Sequence, residues 1–160
     1  MNYSRVAGKL RKKISVFSGE LSVGLPKACR RFVHEMVYGI QASQSVVLTK
    51  IARTLEEPIS IKKVEERLSR QLGRKKLDSV IQKNLLELSS DRVKKDTLLI
   101  LDPSDIRKKY AKKMEYLSKV RDGSEKEIGN GYWLCKVVAT EVKGDAMVPL
   151  VGKLYSSVAP

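Results

Sequence analysis

Residues 97–105 read Thr97-Leu98-Leu99-Ile100-Leu101-Asp102-Pro103-Ser104-Asp105, and the fold turns on this stretch. An apolar, partly β-branched run makes a good buried strand, and Pro103 and Ser104 are turn residues that stop it. Read this way, Asp102 closes the strand at the mouth of a sheet. A carboxylate there can meet solvent, a metal ion or a substrate phosphate. The same acid would also serve simply to cap a turn.

The period before this stretch is helical. From Pro26 to about Leu88 four apolar stripes follow one another. Phe32, Val33, Met36, Val37 and Ile40 form the first, and Val47, Leu48, Ile51, Ala52 and Leu55 the second. A third helix begins near Ser60, an N-cap residue type, and aligns Ile61, Val64, Leu68 and Leu72 before Gly73. Leu77, Val80, Ile81, Leu85 and Leu88 make the fourth. Such stripes are core, which leaves the opposite faces free to bind. Those faces carry Lys50, Arg53, Lys62, Lys63, Arg67, Arg70, Arg74, Lys75 and Lys76.

After the stretch the pattern becomes that of strands. Ile106–Val120 reads as a basic loop or irregular helix with Arg107, Lys108, Lys109, Lys112, Lys113 and Lys119. Arg121-Asp-Gly-Ser124 is a turn, and Tyr132–Val142 is a long strand with Trp133 in its core. Lys143-Gly144-Asp145 turns the chain back into a third strand, Met147–Tyr155. The whole is α+β: a basic flexible arm over 1–25, a helical region over 26–95 and an antiparallel meander over 96–160.

Charge is the unusual bulk property. The 160 residues hold 32 Lys and Arg against 18 Asp and Glu, a net charge of +14. Residues 1–96 carry 21 basic and 10 acidic side chains, whereas residues 97–160 carry 11 and 8. The front part is therefore the electrostatic footprint, and nucleic acid is the commonest partner of such an excess. The helices on either side of Glu56-Glu57-Pro58-Ile59 resemble a helix-turn-helix unit, a pattern that any small bundle also produces.

Other chemistries find little support. Cys29 and Cys135 lack zinc or redox spacing and read as small reduced thiols of a cytosolic protein. His34 has no ligand partner at metal spacing. No run approaches the ~18–20 apolar residues of a membrane span, nor the apolar region of a signal peptide.

Taken together, Leu-Ile-Leu-Asp102-Pro-Ser-Asp105-Ile-Arg-Lys, Lys112-Lys113, Arg121-Asp-Gly-Ser124, Gly131-Tyr-Trp133, Val137-Val138-Ala139 and Val148-Pro149-Leu150 resemble the opening of the catalytic domain in bacterial insertion-sequence DDE transposases. The likeness is to the group typified by the transposase of insertion sequence four and covers roughly residues 28–155. Phe32 to Tyr38-Gly39-Ile40 and Ile51–Leu55 are similar to the helical region that precedes the core in that group.

The resemblance implies a ribonuclease-H-like fold, here its first three antiparallel strands. It implies Asp102 as first catalytic carboxylate and metal ligand, with Asp105 second choice, and Mg2+ or Mn2+ in the complete relative. It further implies double-stranded DNA at element ends as partner, work as a homodimer and a place in the bacterial cytoplasm at the nucleoid. Lys62, Lys63, Arg67, Arg70, Arg74, Lys75 and Lys76 would grip the DNA. Arg107, Lys108, Lys109, Lys112 and Lys113 would meet phosphates near the site.

Two divalent ions about 3.5–4 Å apart can clamp the attacking and leaving oxygens of a displacement at phosphorus, and a carboxylate on a rigid strand can bridge them. A DDE site needs a second Asp and a Glu. Asp122, Glu125, Glu127, Glu141 and Asp145 do not match the missing positions, so the expectation is an inactive amino-terminal fragment. Its meander would expose an edge and one apolar face. The competing expectations are a non-enzymatic helix-turn-helix DNA-binding protein and, more weakly, a basic structural or ribosome-associated protein.

Overall fold

The computed structural model describes residues 3–140 and 147–159. It is α+β, with five helices followed by a four-stranded antiparallel sheet. The chain divides into two compact units, Met1–Asn84 and Leu85–Pro160.

The first unit opens with α1 (Tyr3–Leu21), which corrects the expectation of a flexible arm. Val6, Leu10, Ile14, Ser18 and Leu21 recur at helical spacing, and Ile14, Ser18 and Leu21 are buried. This stripe is weak because Gly8, Ser15 and Gly19 interrupt it, and the lysines around it suggest solvent on every side. The helix holds through its partners. Ser18 Oγ lies 2.9 Å from His34 Nδ1 in α2 (Lys27–Ser43). Asn84 Nδ2 donates to the carbonyls of Leu21 and Val23, which satisfies acceptors that a helix end leaves open.

The expected stripes form α2, α3 (Leu48–Thr54), α4 (Ile61–Leu72) and α5 (Leu77–Ser89). Phe32 and Val33 of α2, Ile51 and Ala52 of α3, Val64 and Leu68 of α4 and Leu77 of α5 are buried. Burial of such side chains stabilises by about 1.5–3 kcal/mol each. Ser60 stands at the N-cap of α4, but its hydroxyl makes no capping hydrogen bond. Gly39 faces Ile51, and a Cβ at Gly39 would run into Ile51 Cγ2. Glycine there lets α2 and α3 approach closely.

In the second unit β1 (Leu98–Arg107) runs through Pro103 without a break, with Pro103 opposite Cys135. The expectation that Pro103 and Ser104 end the strand is thereby corrected: Asp102 sits in mid-strand, not at a strand end. β1 pairs only with β3 (Ile128–Thr140), so it is an edge strand, where a proline's missing N–H can fall on the unpaired side. The first half of β1 is also not buried, since Leu98, Leu99, Ile100 and Leu101 are 42–64% exposed.

A further strand, β2 (Ser118–Arg121), replaces the end of the expected basic loop. Gly131 of β3 is opposite both Arg107 and Ser118, so β1 and β2 flank β3 on different edges. β4 (Met147–Tyr155) pairs with Trp133–Thr140 of β3, with a register shift at Val137/Val138 beside Pro149. The turn at Lys143-Gly144-Asp145 lies outside the described residues, as do Glu141 and Ala146.

Candidate nucleic-acid interface and the Asp102 strand

Helix α4 divides its residues between two roles. Val64 and Leu68, four apart, are buried in the bundle. Arg67 turns towards the same interior, with Nη1 2.9 and 2.6 Å from Glu35 Oε1 and Oε2 and Nη2 2.5 Å from Glu57 Oε1. Arg31 completes the cluster, its Nε 2.5 Å from Glu35 and its Nη2 2.9 Å from Glu57. The hydrogen bond and charge of Glu35 raise the Arg31 guanidinium above its ordinary value. Arg67 is thus committed to structure and is not free on the basic face.

Lys62, Lys63 and Arg70 stand on the open side of α4, together with Glu66 and Ser69. Lys62, Ser69 and Arg70 line a shallow groove with Glu65 and Glu66. Arg74, Lys75 and Lys76 follow in the exposed turn before α5. This grouping is what a phosphate backbone attracts, because each neutralised phosphate releases a bound counterion. The connection from α3 to α4 spans residues 55–60, longer than the 3–4-residue turn of a tight helix-turn-helix.

On the sheet, the antiparallel register places Asp102 opposite Lys136. Its Oδ2 lies 3.3 Å from Lys136 Nζ and accepts a hydrogen bond from Ser104 Oγ at 3.0 Å. Asp102, Ser104, Ile106 and Tyr132 share one face, since side chains alternate along a strand. Asp105 falls on the other face, where Oδ1 accepts the Gly123 N–H at 3.3 Å. The two acids therefore do not converge. Among the described residues no three His, Cys, Asp or Glu side chains come together to hold a metal ion. The residues present do not fit a two-metal centre by themselves.

Arg107 is likewise unavailable to phosphate. Its guanidinium pairs with Glu125, with Glu127 at 2.7 Å and with Asp122 at 3.5 Å. The hydrogen bond to Glu127, with Glu125 beside it, holds Arg107 above its ordinary value. The Asp122 carboxyl is held below its usual range, first by the Glu125 N–H, then by Ser124 N–H and Arg107. By contrast Lys108, Lys109, Lys112 and Lys113 are exposed.

Sequence reasoning missed Lys136 as the partner of Asp102 and Glu35 as the partner of Arg67. For Lys136 no local signal exists, because pairing register decides it. For Glu35 there was one: it lies three residues after Phe32 and four before Gly39, on the buried side of α2. Cys29 is buried, and Cys135 is half-buried. Among the described residues no helix is long and apolar enough to cross a membrane. Comparison of the chain with protein-family models, with curated proteins and with solved structures gives no match.

Proposed function

We propose that the chain is the amino-terminal portion of a DDE transposase, which grips double-stranded element DNA through its helical unit. The observation that carries this reading is the division of α4, whose half-buried Arg67 is held by Glu35 and Glu57 while Lys62, Lys63 and Arg70 are exposed. Arg74, Lys75 and Lys76 extend the same charge. In the second unit, β3 lies between β1 and β4, an antiparallel arrangement compatible with this reading, and Asp102 stands on β1. In a complete relative the residue matching Asp102 would be one ligand of a Mg2+ or Mn2+ site, which the described residues of this chain do not complete. On this reading no matched second Asp or Glu accompanies Asp102, so strand cleavage by this chain alone is not expected.

A second reading, a non-enzymatic DNA-binding protein, is favoured by one observation: Asp102 is paired with Lys136 at 3.3 Å. Two titrations of the full chain separate the readings. Duplex DNA affinity should fall steeply with salt and weaken in Lys62→Ala and Arg70→Ala variants; a flat salt response removes the helical interface from both readings. Mn2+ uptake that disappears in Asp102→Ala, with duplex affinity unchanged, supports the transposase. Uptake indifferent to Asp102 leaves the plain DNA-binding protein.

A further inference from the structure

A hollow of about 490 Å³ opens at the end of the sheet on the second unit, within the size range of small-ligand sites. Its floor is Ile106 and Tyr132, which are opposite each other on β1 and β3. Its walls are Met114, Tyr116 and the β4 residues Leu154 and Tyr155. Tyr132 Oη donates to the Glu115 carbonyl at 2.6 Å, which pins the Met114–Leu117 turn against β3. Tyr116 is held at φ +50°, in the left-handed region where a bulky residue is strained. The residue is nonetheless 47% exposed, and Met114 is comparably open.

The loop that walls the hollow has a particular composition. Between residues 108 and 117 it carries Lys108, Lys109, Lys112 and Lys113 against a single acid, Glu115. All four lysines are exposed, and Lys108 lines the hollow itself. Lys108 and Glu115 both line the hollow, and the exposed Lys109, Lys112 and Lys113 of the same segment give its surroundings a net positive charge. An apolar, aromatic floor so placed suits a flat base whose phosphates run along the lysines. Paired, stacked bases of a duplex cannot enter such a hollow; an unpaired one can.

From this we infer that the hollow seats an unpaired base of single-stranded DNA, with Tyr116 as stacking platform and the Lys108–Lys113 segment as backbone track. The inference goes beyond the duplex grip of α4 and uses none of its residues. It rests on the DNA reading only for the choice of DNA as the polyanion. Asp102 and Ser104 lie on the same face of β1 as Ile106, so a strand seated here would run towards Asp102.

The test is fluorescence anisotropy of the full chain with labelled oligo(dT) and, separately, with a blunt duplex of equal length. Tyr116→Gly removes the ring while suiting the left-handed backbone, so folding is spared. It should weaken oligo(dT) binding about tenfold or more, the loss of one base–aromatic stack, and leave duplex binding unchanged. Tyr116→Phe should bind oligo(dT) as the parent does. Lys62→Ala with Arg70→Ala should show the converse pattern. Absence of oligo(dT) binding by the parent chain, or equal binding by Tyr116→Gly, overturns the inference. Absence of duplex binding alone overturns the α4 reading and leaves the hollow standing.

Discussion

Arg67 donates to both carboxylate oxygens of Glu35, so that α4 is fastened to α2 by an ion pair whose acid is buried. The Glu57 carboxylate, from the turn before α4, closes on the same guanidinium. One side chain thus sets where α4 stands and which of its faces is left for a partner. Arg67→Met should cost about 1–3 kcal/mol, because Glu35 loses both hydrogen bonds from Arg67 and keeps only that from Arg31. Urea unfolding should show a lowered midpoint with an unchanged slope.

Lys62 and Arg70 predict the reverse separation. Both are exposed, so Lys62→Ala and Arg70→Ala should change stability by less than ~0.5 kcal/mol. Each should weaken duplex DNA binding and reduce the slope of log K against log salt by about 1. A loss of affinity without a change in slope would place these side chains off the phosphate backbone.

Gly39→Ala is expected to destabilise despite alanine's higher helix propensity. The propensity gain is about 1 kcal/mol, whereas the added methyl meets Ile51, which is fully buried and cannot yield. Thermal unfolding of Gly39→Ala should therefore begin at a lower temperature than that of the parent. Ile51→Ala, which removes Cγ2, should cost less in the Gly39→Ala background than in the parent.

Acid should loosen the turn between β2 and β3. The folded Asp122 carboxyl sits below its usual value, so its contribution is complete above the unfolded value of about 4. It is lost as pH falls through the lower folded value. Amide exchange at Ser124 and Glu125 should accelerate over that interval, and Asp122→Asn should flatten the dependence.

Lys136→Ala tests the electrostatic state of Asp102. Without the ammonium at 3.3 Å the carboxylate is left with Ser104 as its hydrogen-bond partner and should take up Mn2+ more readily than in the parent chain. Proton relaxation enhancement by Mn2+ measures this directly. No gain in the Lys136→Ala variant would mean that the pairing is not what limits metal uptake.

Much of the helical unit was legible in the residues. Stripes such as Val64/Leu68 and Phe32/Val33 recur at the helical period, and burial follows that period whatever the partner. Helix α1 was not legible, because its stripe is interrupted by small and basic residues and its hold depends on His34 and Asn84 in other helices. At β1 the local rule failed: Pro103 stops a strand that needs ladder bonds on both sides, but not one at an edge.

The sequence by itself determined the four helical stripes of α2–α5 followed by strands, the basic excess of the front part and the apolar character of Leu98–Leu101. These depend on residue type and spacing along one segment. Tertiary structure alone decided that Arg67 and Arg107 are locked into ion pairs while Lys62, Lys63 and Arg70 are exposed. It also set Lys136 against Asp102, sent Asp105 to the opposite face, and gathered Tyr116, Tyr132 and Tyr155 around one hollow. The physical reason is that charge neutralisation and concavity depend on distances of a few ångströms between residues far apart in the chain. Register and packing set those distances, and spacing along the sequence does not encode them.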